Sequence, residues 1–149
     1  MFLMRNSCIP ERWRVAASLI LITLTLASCE LAEELTGGAA TVAKIEGEWT
    51  CDEQSEIYKS TAEIFTVVIS ADPDNPSGII IDNFYGLNVP AKATVSGMGL
   101  IISNQTLEGG FAVSGSGTIS SDYKEINLSY TVDDGSGTSD HCTAVLTKN

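Results

Sequence analysis

From Ile45 onward the chain is a succession of short apolar runs, each cut off by turn chemistry. Eight runs can be marked: Ile45–Cys51, Ala62–Ala71, Ile79–Asn83, Pro90–Ser96, Leu100–Ser103, Phe111–Ser120, Tyr123–Val132 and Thr138–Thr147. Between them lie clusters such as Asp72-Pro73-Asp74-Asn75-Pro76-Ser77-Gly78, Gly97-Met98-Gly99 and Asp133-Asp134-Gly135-Ser136-Gly137. Proline, glycine and short polar residues in such density end strands and reverse the chain. The rhythm is that of an all-β domain.

Alternation inside the runs supports half-buried strands. Val89, Ala91, Ala93 and Val95 share one face, and Ile126, Leu128, Tyr130 and Val132 share another, each opposed by polar neighbours. A period of two is what a strand with one buried face requires. Phe111, Val113 and Ile119 share a face with Gly115 and Gly117, which suit a strand that must bend sharply. Connections this short favour antiparallel neighbours. The expected fold is an eight-stranded antiparallel up-and-down barrel over residues 45–149, which leaves no open edges. A two-sheet β-sandwich is the alternative closure of the same strands. Helix is scarce, with Glu53–Ser60 the only stretch that could hold a turn or two.

The first 28 residues have a different texture. Arg5, Arg12 and Arg14 precede an apolar core from Val15 to Ala27, and small residues follow. These are the zones of an export signal. As a helix the core would be roughly 20 Å long, short of the ~30 Å that a membrane span needs. Leu26-Ala27-Ser28-Cys29 closes the segment and resembles the lipobox of bacterial lipoproteins. That resemblance implies cleavage before Cys29, lipid on its sulfur, and membrane attachment through acyl chains. It places the protein in the cell envelope, on the periplasmic or surface face of an outer membrane. Residues 29–44 then read as a flexible acidic tether. Glu30, Glu33 and Glu34 resemble the tag that sends some lipoproteins of Gram-negative anaerobes to the outer surface, and they equally suit a solvated spacer.

Cleavage deepens the acidity. The full chain carries a net charge of −11; without residues 1–28 it keeps five lysines against 18 acids, a net charge of −13, and no arginine. Such a surface has no electrostatic footprint for a phosphate backbone, which excludes nucleic acid as a partner. The cysteines are also reassigned: Cys8 leaves with the signal and Cys29 carries lipid. Cys51 and Cys142 remain in an oxidising compartment, 91 positions apart, and are expected to form a disulfide. In a barrel the first and last strands are adjacent, so the bridge would fasten the seam. Two buried thiols are the alternative.

Gly47-Glu48-Trp49 opens the first strand, and G-x-W there resembles the lipocalin signature. The resemblance implies that Trp49 plugs the closed end of the barrel, and that a cation on the last strand stacks on it. Lipocalins use arginine; here Lys148 is the cation nearest that place in sequence. An ordinary core aromatic is the other reading of Trp49. A lipocalin-like barrel further implies a small apolar ligand in its mouth, with Phe84, Tyr85 and Tyr130 as candidate contacts. Against this stands a narrow barrel filled by its own side chains, since eight strands allow either outcome. The second class of function is an interaction module, an inhibitor or accessory subunit of an envelope complex using its outer face.

Catalysis and metal binding find no constellation. His141 and Cys142 are adjacent on one strand and therefore point to opposite faces. The Asp133–Gly137 run lacks the spacing and terminal glutamate of a calcium loop and reads as a hairpin turn. No cofactor is implied, and the chain is read as a non-enzyme.

Overall fold

A computed structural model describes residues 37–57 and 62–149. Eight antiparallel strands close into one barrel in simple sequence order: β1 (Gly47–Ser55), β2 (Glu63–Ala71), β3 (Gly78–Phe84), β4 (Val89–Ser96), β5 (Gly99–Thr106), β6 (Ala112–Ile119), β7 (Glu125–Asp133) and β8 (Ser139–Lys148). The ring closes where β1 pairs with β8. The expected up-and-down barrel is therefore present, with all eight runs found as strands.

The core follows the alternation. Ile126, Leu128, Tyr130 and Val132 of β7 and Ala91, Ala93 and Val95 of β4 all face inward and are buried. Gly115 and Gly117 sit opposite Tyr130 and Leu128. A β-carbon on Gly115 would fall 2.4 Å from the Tyr130 Cβ, and one on Gly117 2.5 Å from a Leu128 methyl. Only glycine lets β7 approach so closely.

Three features differ from expectation. Glu53–Ser55, the start of the stretch that could hold a helical turn, is the end of strand β1. Residues 37–45 form a helix, α1, across much of the stretch that reads as a tether. Its buried positions are Gly38, Thr41, Val42 and Ile45, the i, i+3, i+4, i+7 spacing of a one-faced helix. Strand β1 consequently begins at Gly47, where φ is +129° and the chain turns out of the helix. The third correction concerns the disulfide. Cys51 and Cys142 are both buried thiols and are not bonded to each other. The register explains why: Cys51 lies opposite Leu146, and Cys142 lies opposite Ser55. An offset of four residues is roughly 14 Å along the strands, against a Cα limit of about 7 Å for a bridge.

The barrel has unlike ends. At one end α1 caps the opening: Thr41 Oγ1 donates to the Gly97 carbonyl at 3.1 Å, and Lys44 Nζ to the Tyr123 hydroxyl at 3.2 Å. Trp49, fully buried, sits just inside and donates its indole N–H to the Ile45 carbonyl at 2.8 Å. Lys148, opposite Trp49 in register, places Nζ 5.6 Å from the ring centroid. At the other end, the mouth of the barrel, lie the connections β3–β4, β5–β6 and β7–β8.

Candidate functional site at the open mouth

The mouth holds a pocket of about 300 Å³ lined by Glu63, Tyr85, Gly86, Leu87, Phe111, Val132 and Asp134. Its walls come from the strand ends and loops that the alternating topology gathers there. Leu87 is 37% exposed, a large apolar side chain left facing solvent at the rim. The combination of an apolar wall and a few polar groups is the usual make-up of a small-molecule site.

Beneath the pocket the described residues pack closely. The space among Cys51, Glu53, Phe65, Phe84, Tyr85 and Tyr130 amounts to about 10 Å³, at the lower limit for a single water. Of the candidate contacts, only Tyr85 borders the mouth pocket. Phe84 and Tyr130 are buried in the core, with ring centroids 4.7 Å apart. Phe84 follows directly on the Ile79–Asn83 run; a bulge between Ile81 and Phe84 shifts the register there, and Phe84 is buried. Asn83 takes φ +61° to make that shift.

Directly under Tyr85 lies a polar cluster that the sequence did not single out. Glu53 and Asp140 are both fully buried. Four donors converge on the Asp140 carboxylate: the Ser55 hydroxyl at 2.5 Å, the Tyr85 hydroxyl at 2.7 Å, the Ile57 amide at 3.0 Å and the Cys142 thiol at 3.5 Å. Burial by itself raises this carboxyl's pKa, but bonds from Ser55, Tyr85, Ile57 and Cys142 together leave it below its ordinary value. The Tyr130 hydroxyl donates to Glu53. Burial first, and then the neighbouring carboxylates, push the Tyr85 and Tyr130 phenols far up, so both remain protonated donors.

The signal for this cluster was in the alternation. Glu53 shares the inward face of Trp49 and Cys51, and Asp140 shares that of Cys142, Ala144 and Leu146. Other sequence candidates fall elsewhere. His141 is exposed while Cys142 is buried, on opposite faces of β8. Asp133 and Asp134 accept backbone bonds from Gly135 and Ser136 at 2.8 and 2.9 Å, the bonding of a turn. Cys29 and the rest of the lipobox lie outside the described residues.

No protein-family model and no curated protein matches this chain.

Proposed function

We propose that this is a lipid-anchored envelope protein whose barrel binds a small apolar molecule at its open mouth. The observation that carries the binding reading is the mouth pocket of about 300 Å³ with Leu87, Phe111, Val132 and Tyr85 in its wall. A pocket of that size suits a ligand of one or two rings or a short alkyl chain. The close packing below means that the ligand sits at the rim rather than deep in the barrel. The anchor rests on Leu26-Ala27-Ser28-Cys29 and the export signal before it. Acyl chains on Cys29 would hold an otherwise acidic protein at a membrane.

Two experiments test these parts separately. The full chain in lipid nanodiscs is titrated with the neutral fluorophore N-phenyl-1-naphthylamine and read against empty discs. Binding should saturate and should weaken at least tenfold in Phe111→Ala/Leu87→Asp, while Ile101→Asp on the outer wall leaves it unchanged. Equal binding by all three proteins would refute the mouth site. Metabolic labelling with a palmitate analogue should mark the protein and vanish in Cys29→Ala; label that persists would remove the anchor.

A further inference from the structure

Tyr85 separates two spaces, because its side chain lines both the mouth pocket and the narrow void beneath it. The phenol is held as a ligand would be held. Its ring meets Tyr130 edge-on at 6.4 Å between centroids, and its hydroxyl donates to the Asp140 carboxylate at 2.7 Å. The backbone that delivers it is unusual. Tyr85 has φ +57°, and Asn83 and Asn88 on either side have +61° and +57°. A left-handed conformation is uncommon for a bulky aromatic residue. Within the segment 83–88 the Gly86 amide donates to the Asn83 carbonyl and the Leu87 amide to the Phe84 carbonyl, both at 3.2 Å, while Asn83 Nδ2 donates to the Thr66 carbonyl and the Asn88 amide to Asn83 Oδ1, both at 2.8 Å.

We propose that Tyr85 is a gate whose own phenol occupies an inner site, and that with the gate open this site takes a small aryl group bearing a hydroxyl or amine donor. The inference rests on the mouth being a ligand site and adds the ligand's chemistry. When Tyr85 swings out, Asp140 keeps its bonds to Ser55, Ile57 and Cys142 but loses one donor. A buried carboxylate short of a donor is unfavourable, and a plain hydrocarbon cannot replace what was lost. A phenol or aniline can, because its ring takes the place against Tyr130 while its donor returns to Asp140. A carboxylate ligand is disfavoured, since it would bring a second negative charge against Asp140. The site therefore selects donor-bearing aryl compounds over hydrocarbons of the same shape.

The test uses the full chain in nanodiscs, labelled with 3-fluorotyrosine and observed by fluorine NMR. Signals are assigned by single Tyr→Phe variants. p-Cresol should shift the Tyr85 and Tyr130 signals and leave Tyr123 at the closed end unmoved. Toluene, which lacks the donor, should act at roughly tenfold higher concentration or more. Tyr85→Phe keeps the ring but releases the latch to Asp140, so Tyr130 should respond to p-cresol at roughly tenfold lower concentration. If both compounds shift Tyr85 with equal midpoints while Tyr130 stays silent, the mouth binds apolar molecules and the gated inner site is refuted. If neither compound moves either signal, the inner site fails and the mouth reading loses its support as well.

Discussion

Ser55 on β1 donates its hydroxyl to the Asp140 carboxylate on β8 at 2.5 Å, and this contact joins the first strand of the barrel to the last. The Ile57 amide, just beyond β1, donates to the other oxygen of the same carboxylate at 3.0 Å. The seam at the open end is thus clasped by a buried carboxylate, in the region where a disulfide was expected. Tyr85 adds a third element, tying the β3–β4 connection to the same point.

Asp140→Asn should therefore destabilise the barrel by about 3 kcal/mol, since hydrogen bonds to a charged group are the strong ones and the amide turns its NH2 toward existing donors. Urea unfolding with tryptophan fluorescence measures it. A change within 0.5 kcal/mol, roughly the scatter of an ordinary surface substitution, would deny the clasp.

The same carboxylate sets an acid limit. Its pKa lies below the ordinary 3.8 in the folded protein, so its bonds contribute fully above that value and fade as the pH falls beneath it. Asp72, paired with Lys92, and Asp122, bonded to Ser120, shift in the same direction. Stability should thus drop from about pH 4 downward, and Asp140→Asn should flatten part of that drop without abolishing it. An unchanged acid slope in the variant would place the effect elsewhere.

Cys51 and Cys142 should alkylate without prior reduction once the protein is unfolded, and peptide mass analysis will show it. Adding a reductant should leave the melting temperature unchanged. A native bridge closing a loop of this size would contribute about 4–5 kcal/mol, and its loss on reduction would be obvious.

Gly38 lets α1 lie against the closed end. A β-carbon there would come within 2.5 Å of Ser77 Oγ and 2.7 Å of the Val95 carbonyl oxygen. Alanine gains about 1 kcal/mol of helix propensity over glycine, but the backbone oxygen has little freedom to retreat. Gly38→Ala should destabilise by about 1–3 kcal/mol through overpacking, visible in thermal melts. A stabilised variant would show that the helix can settle elsewhere.

The strands were legible because their information is local. Turn clusters and a period of two fix eight strands and their inward faces, and even the close approach at Gly115 is foreshadowed by its place on the apolar face. The helix was hidden because two of its four buried positions are Gly38 and Thr41, which read as linker composition. The bridge failed on register, a property of strand offset around the whole barrel that no single segment encodes. The acids Glu53 and Asp140 were hidden by a different conflict. Their positions said inside, and their chemistry said outside. Position prevailed, because tyrosine, serine and thiol donors meet them there.

Locating a bound apolar molecule on the folded chain tests the mouth site directly. Heteronuclear NMR of the full chain titrated with N-phenyl-1-naphthylamine should shift the amides of Tyr85–Leu87, Phe111 and Val132–Asp134. Those around Gly97 and Tyr123, at the end capped by α1, should stay in place. Shifts centred instead on the outer wall around Ile64 and Val145, or no saturable shift at all, would contradict a ligand site at the mouth of this barrel.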